Sequence, residues 1–310
     1  MLYGIYMKKL APLFPYLLGW WLLLSTDNFS QISLVNGVLQ LVLFVLVACI
    51  PAWKTGRMSY VDIAWPWGLV LIGVVTFTMG EGYWLRKLLV SSVYLFMGLR
   101  MGLGAVKLWK MGHLNTELPR YQYQAVRWEK QGIKNTSFIM QIEVLVQGVA
   151  NASFLAMPAF IIGANQSQSI SGFELLGLAF WLIAFVIESS ADVQKLQFMK
   201  SMKAQGLKNQ VCNIGLWRYS RHPNYFSEWM VWNALVVASI PSVMALFSQE
   251  ANYISVALVL GLMFVPKFMY TVLVHYTGAV PAEYYSVQKR PDYKRYQETT
   301  NRFFPGPTKG

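Results

Sequence analysis

The chain has 310 residues, of which 55% are hydrophobic, 15% aromatic and only 13% charged. With a positive mean hydropathy as well, this composition excludes an ordinary soluble domain and reads as an integral membrane protein. Lysine and arginine outnumber aspartate and glutamate by 26 to 14, a formal net charge of +12, which in a membrane chain reports topology rather than nucleic-acid binding.

A membrane-crossing helix needs about 20 mostly apolar residues. Eight stretches qualify: residues 10–25, 31–52, 61–80, 83–106, 137–163, 172–198, 224–247 and 252–275. The first is the shortest and carries Pro12 and Pro15. Lys8 and Lys9 before it imitate a signal peptide, but bulky Trp20 and Trp21 and the lack of a small-x-small site make it an uncleaved span. Basic residues recur in every second loop. Lys54 and Arg57 follow the second span, Lys107 to Lys134 the fourth, Lys200 to Arg221 the sixth, and Lys289 to Lys309 the eighth. The alternate loops "STDNFS", "GEG", "GANQSQSIS" and "SQEA" hold none.

The expectation is an all-α bundle of about eight transmembrane helices with both termini cytoplasmic, a seven-helix core plus one extra N-terminal helix. It forms a single domain, 1–310, multi-pass in a bacterial inner membrane. Arg86 and Lys87, just inside the fourth span, must snorkel or pair.

Ionisable groups at membrane depth cost about 2.5–3.5 kcal/mol each on insertion scales, so they mark function unless partnered. In the seventh span Pro223 suits a first helical turn, and Asn224 and Glu228 stand four apart on one face. Glu188 and Asp192 are likewise four apart in the sixth span, with Lys195 one turn on. Asp62 opens a proline-containing third span, and Tyr94 lies in the fourth. Around them Lys195, Lys200, Arg218, Arg221, Arg290 and Lys294 form a basic rim suited to phosphate. Any one such cation is also an ordinary juxtamembrane residue. Cys49 and Cys212 give no disulfide framework. His113, His222 and His275 lack ligand spacing, so no metal is expected. No dinucleotide fingerprint, P-loop or serine-hydrolase elbow occurs.

The stretch "GLWRYSRHPNYFSEW" at residues 215–229 resembles the C-terminal signature of the membrane steroid 5α-reductase family, in particular its bacterial branch. The resemblance covers mainly residues 185–305, with "E-x-x-A-D-x-Q" in the sixth span and the tail "KRPDYKRYQETTNRFFPGP". It is echoed more weakly in "SYVDIAWPWG" and "LRMGLGAVKLW".

The resemblance implies NADPH-dependent reduction of a carbon–carbon double bond conjugated to a carbonyl, in a lipophilic enone or sterol-like substrate. Asn224 matches the family's cofactor-contacting asparagine and Glu228 its glutamate near the nicotinamide carboxamide. Asp192 matches the aspartate that meets the adenosine half, while Glu188 stands where steroid reductases have asparagine. Lys195, Arg218, Tyr219, Arg221, His222 and Tyr225 complete the implied cofactor set. The arginine expected before the signature falls near Gln210, leaving Lys208 or Arg218 to supply that charge. The family's glutamate–tyrosine pair that polarises the ketone has Asp62 and Tyr94 as its counterparts.

Isoprenylcysteine carboxyl methyltransferases share the R-H-P-x-Y element and bind S-adenosylmethionine, which makes a membrane methyltransferase the alternative. A non-catalytic lipid-binding or transport protein is the third reading, and the absence of a two-fold hydropathy repeat counts against transport. The expected partners are a lipophilic small molecule and membrane lipids, with no nucleic acid, in a monomer or weak homo-oligomer.

Overall fold

Hydrocarbon offers a backbone no hydrogen bonds, so a spanning segment must be a helix or part of a closed barrel. The computed structural model describes residues 10–309, and among the described residues it contains helices and no strand. The N-terminal helix α1 is Phe14–Leu24, entered by a single 3-10 turn, Ala11–Leu13. The spanning helices then follow as α2 (Ser30–Thr55, with a π turn at Val45–Cys49), α3 (Val61–Met79) and α4 (Trp84–Lys110). A short helix α5 (Pro119–Lys130) leads to α6 (Thr136–Ala152) and α7 (Met157–Ala164). Next come α8 (Gly172–Ala204), α9 (Pro223–Leu246) and α10 (Asn252–Thr271), and after a π turn at Val272–Tyr276 the chain closes with α11 (Ala279–Lys289) and α12 (Tyr293–Thr299).

Among the described residues, seven helical segments are long and apolar enough to cross a membrane, and the apolar helix Ala11–Leu24 is shorter. At 1.5 Å per residue that first helix is about 21 Å long, against a hydrocarbon core of about 30 Å. Among the described residues the seven-helix core is therefore present with one additional, shorter N-terminal helix. Lys8 and Lys9 lie outside the described residues. Another difference concerns the expected span 137–163, which breaks into α6 and α7. Ser153 leaves helical geometry (φ −115°, ψ −102°), and its hydroxyl turns back to the Val149 carbonyl at 2.7 Å.

The described chain divides into two compact units: one runs up to Leu175 and includes Val236–Val265, and the other holds Leu176–Leu235 with the residues from Pro266 onward. In the first unit, α3 and α4 pack closely because small residues face the contact. A β-carbon at Gly98 would lie 2.6 Å from the Pro66 carbonyl oxygen. Dry amides join α2, α3 and α6. Gln40 Nε2 donates to the Asn36 amide oxygen at 3.1 Å and to the Gly68 carbonyl at 2.8 Å. Asn151 Nδ2 donates to Gln40 at 3.3 Å and to the Trp65 carbonyl at 3.1 Å. All three amide side chains are fully buried. Arg86 does pair: it is buried against Glu174 and also donates to the carbonyls of Asn165 (3.1 Å), Ser167 and Ser169 (2.7 Å). One guanidinium thereby ties down the loop between α7 and α8.

Removing Gln40 would take one hydrogen-bond partner from each of Asn36, Gly68 and Asn151 in a dry interior. Gln40→Leu is expected to lower stability by about 1–2 kcal/mol in a detergent unfolding titration. Leu103→Ala, on an exposed face of α4, is expected to leave the midpoint unchanged.

Candidate functional site

The candidate site of the second unit grows from the far end of α8. Its 33 residues make a helix about 50 Å long, some 20 Å more than hydrocarbon requires, and the excess falls where Asp192, Lys195, Lys200 and Lys203 lie. Gly206 follows in a left-handed conformation (φ +71°), as helix ends favour. The loop then returns to α8. Gln194 Oε1 accepts the Leu216 amide at 2.8 Å, and a β-carbon on Gly215 (φ +54°) would lie 2.4 Å from that oxygen. Glycine is thus the residue that lets the signature start here. Trp217 is buried, donates its indole N–H to the Ala191 carbonyl at 2.9 Å, and lies under the Lys195 ammonium at 4.0 Å.

Pro223 begins α9, which brings two expected partners together. Asn224 Nδ2 donates to Asp192 Oδ1 at 3.2 Å, while Asn224 Oδ1 is enclosed and accepts no hydrogen bond. One turn on, buried Glu228 accepts the Trp232 indole N–H at 3.1 Å. Glu188 is buried one turn before Asp192, and Tyr225 stacks on His222 with centroids 5.3 Å apart and planes 2° from parallel. Arg218 and Tyr219 are exposed.

Arg221 and His222 are not part of an exposed rim. Both are buried against Glu283 of α11, because their charges and donors are used inside the fold. Arg221 donates to Glu283 through Nε (2.8 Å) and Nη2 (3.2 Å), and His222 Nε2 stands 3.1 Å from the same carboxylate. Gln297 and Arg302 add donors at 2.9 and 3.3 Å. Sequence reasoning missed Glu283. It is one of three acids in a basic C-terminal stretch, with Asp292 and Glu298, and nothing in the sequence singles it out.

Two hollows adjoin in this unit, sharing Met199 and Gln210. The inner one, of about 40 Å³, is lined by Lys195, Cys212, Trp217, His222, Arg290 and Tyr293, among others. The outer one is an open groove of about 470 Å³ that carries Lys200, Lys203 and Lys208 and no acidic residue. Burial pushes the Cys212 thiol up, away from the thiolate. Burial also lowers the His222 pKa, an effect that Glu283 opposes and that Lys195 and Arg221 reinforce.

The other two expected residues lie in the first unit and have different neighbours from those anticipated. Tyr94 is fully buried, and its hydroxyl donates to the Leu155 carbonyl at 2.6 Å. Asp62 instead receives the hydroxyl of Tyr121 from α5, with Arg120 Nη1 3.8 Å from its second oxygen. Burial raises the Tyr121 pKa well above 10, and the Asp62 charge adds to the shift. On the same face of α5, Gln124 and Trp128 donate to Glu143 of α6 at 2.9 and 2.7 Å. The 3-and-4 spacing of Tyr121, Gln124 and Trp128 was a helical signal available in the sequence.

The family described as "Protein of unknown function (DUF1295)" matches residues 43–300. The chain belongs to the DUF1295 family. The match takes in both candidate sites, from Asp62 to Gln297, and leaves out α1. The uncharacterized protein C594.04c of Schizosaccharomyces pombe is 24% identical over 174 residues, covering 51% of this chain and 46% of that protein. The chain thus spans less than half the length of this relative. No solved structure matches.

The buried His222 also predicts a pH dependence. Its folded-state pKa lies below the ordinary 6.5, so the folded form binds fewer protons than the unfolded one in that window. Its contribution to stability is complete above about pH 6.5 and is lost as pH falls through the folded-state pKa. Melting temperatures in detergent are expected to drop between pH 7.5 and 5.5, and His222→Gln should flatten that slope.

Proposed function

We propose that this DUF1295 protein is a membrane-embedded, NADPH-dependent reductase of a carbon–carbon double bond conjugated to a carbonyl in a lipophilic substrate. The observation that carries the reading is the groove of Lys200, Lys203 and Lys208 with no carboxylate, adjoining the hollow of Lys195 and Arg290. Such a surface complements a ligand with several phosphates. S-adenosylmethionine has none, which weighs against the methyltransferase reading. The groove lies on the part of α8 that outruns the hydrocarbon, which favours a water-soluble ligand over a lipid headgroup. Basic loops prefer the cytoplasm, where NADPH is found. The association of the DUF1295 family with steroid 5α-reductase-like membrane proteins agrees with the reading.

The residues fit this cofactor on a further count. The enclosed, unpartnered Asn224 Oδ1 beside Asp192 is an acceptor suited to a group that carries N–H donors. NADPH, when bound, supplies a hydride to the β-carbon of the enone. The chain's own part is to hold the cofactor through Asn224, Asp192 and the lysines.

Thermal shift of the detergent-solubilised protein tests the cofactor directly. NADPH is expected to raise the melting temperature and S-adenosylmethionine to leave it unmoved; the reverse pattern would replace this reading with the methyltransferase. The triple variant Lys200→Gln, Lys203→Gln, Lys208→Gln is expected to weaken NADPH binding at least tenfold and to blunt its salt dependence.

A further inference from the structure

We propose that Glu283 is the positioning residue of the cofactor site and that the C-terminal segment 300–309 is a strap it holds across the signature. The proposal rests on the cofactor reading above and adds to it a residue and a segment that the site candidates did not include.

Glu283 is 3% exposed, and both of its oxygens are occupied. Oε1 takes Arg221 Nε and faces His222 Nε2; Oε2 takes Arg221 Nη2, Gln297 and Arg302. A carboxylate so filled has nothing left for a ligand, so it acts through the groups it holds. Arg221 is the first of these, and it faces the strap as well. Its Nη1 donates to the carbonyls of Gln297 (2.9 Å) and Thr300, and its backbone amide donates to the Asn301 carbonyl at 2.8 Å.

The strap is then stitched to the residues just before Arg221. Ser220 Oγ donates to the Phe303 carbonyl at 2.9 Å, and the Gly306 amide to the Tyr219 carbonyl at 3.1 Å. Rings complete the attachment. Phe303 and Phe304 pack edge-on against Trp229 at 6.1 and 5.6 Å, and Phe303 against Tyr270 at 5.1 Å.

Asn224 follows Arg221 by three residues and starts the helix that carries Glu228. The Arg221–Glu283 pair therefore sets where α9 begins, and with it the 3.2 Å bridge from Asn224 to Asp192. His222 is fixed by the same carboxylate. An ionised Glu283 accepts, so Nε2 carries the proton and Nδ1 does not.

The test uses the full chain in detergent with Glu283→Gln and Glu283→Asp. Four quantities are read: NADPH affinity, turnover, chymotryptic cleavage at Phe303–Phe304, and the His222 tautomer by ¹⁵N NMR. Glu283→Gln is expected to weaken NADPH binding at least tenfold, to change turnover at saturating NADPH less than threefold, and to speed cleavage at least tenfold. It should also mix the His222 tautomers. Glu283→Asp should restore most of the affinity and protection. If Glu283→Gln does not fold, Arg302→Ala, which removes only the half-exposed donor, is expected to speed cleavage severalfold in a folded protein.

Cleavage at the wild-type rate in either variant would overturn the strap. NADPH affinity within twofold of wild type in Glu283→Gln would overturn the positioning role. Failure of the wild-type protein to bind NADPH would overturn the cofactor reading and Glu283's role in it, while cleavage and the tautomer would still decide the strap.

Discussion

Where water is excluded, every donor and acceptor must find its partner inside the chain, and both units of this protein are organised around that constraint. In the first unit Gln40 and Asn151 use neutral amides to tie the carbonyls of α3 to α2 and α6, beside the buried Arg86–Glu174 pair. In the second the solution is ionic, with one carboxylate, Glu283, gathering donors from the signature and the tail. Both arrangements place helix segments whose apolar faces alone would leave their register loose.

The division of labour between arginine and lysine in the second unit follows from their chemistry. Arg221, with a planar fork of donors and weak hydration, is buried and fully engaged. Lys200, Lys203 and Lys208, strongly hydrated point charges, stay at an open groove. The basic residues that the sequence presents as one collar thus separate into interior fasteners and exposed charges. Tyr121 shows a similar reassignment in the first unit, where a phenol from an amphipathic helix outside the spans reaches the carboxylate that Tyr94 was expected to accompany.

Much of the fold was legible because a 20-residue apolar run has few ways to be satisfied in lipid. The spans of α2, α3, α4, α8, α9 and α10 follow the expected stretches closely. The break between α6 and α7 was under-read: Ser153 diverts its hydroxyl to the Val149 carbonyl, and Pro158, in the first turn of α7, is the sequence signal for the restart. In the site, four-residue spacing put Asn224 with Glu228 and Glu188 with Asp192 on single helix faces, whereas the bridge from Asn224 to Asp192 is seen only in the folded chain. Glu283 lies 62 residues beyond Arg221 in a stretch of ordinary polarity, and only the folded chain shows the two together. Local spacing carries information about one helix face; it carries none about which distant loop will cover it.

The π turn at Val45–Cys49 has a consequence for how this chain tolerates changes in length. Gln40, Phe44, Ala48 and Ala52 are all buried and recur every four residues, a step that overshoots an α-helical turn by about 40° each time. The wider turn absorbs that overshoot and keeps the stripe facing inward. Deleting one residue from the turn would restore regular α pairing, and because seven α-helical steps from Phe44 turn about 700°, Ala52 would keep its inward direction to within about 20°. The segment beyond the turn would only be drawn back along the axis by about 1.5 Å. A single-codon deletion is therefore better tolerated inside this turn than anywhere in the regular part of α2, where it would swing the buried stripe by about 100°.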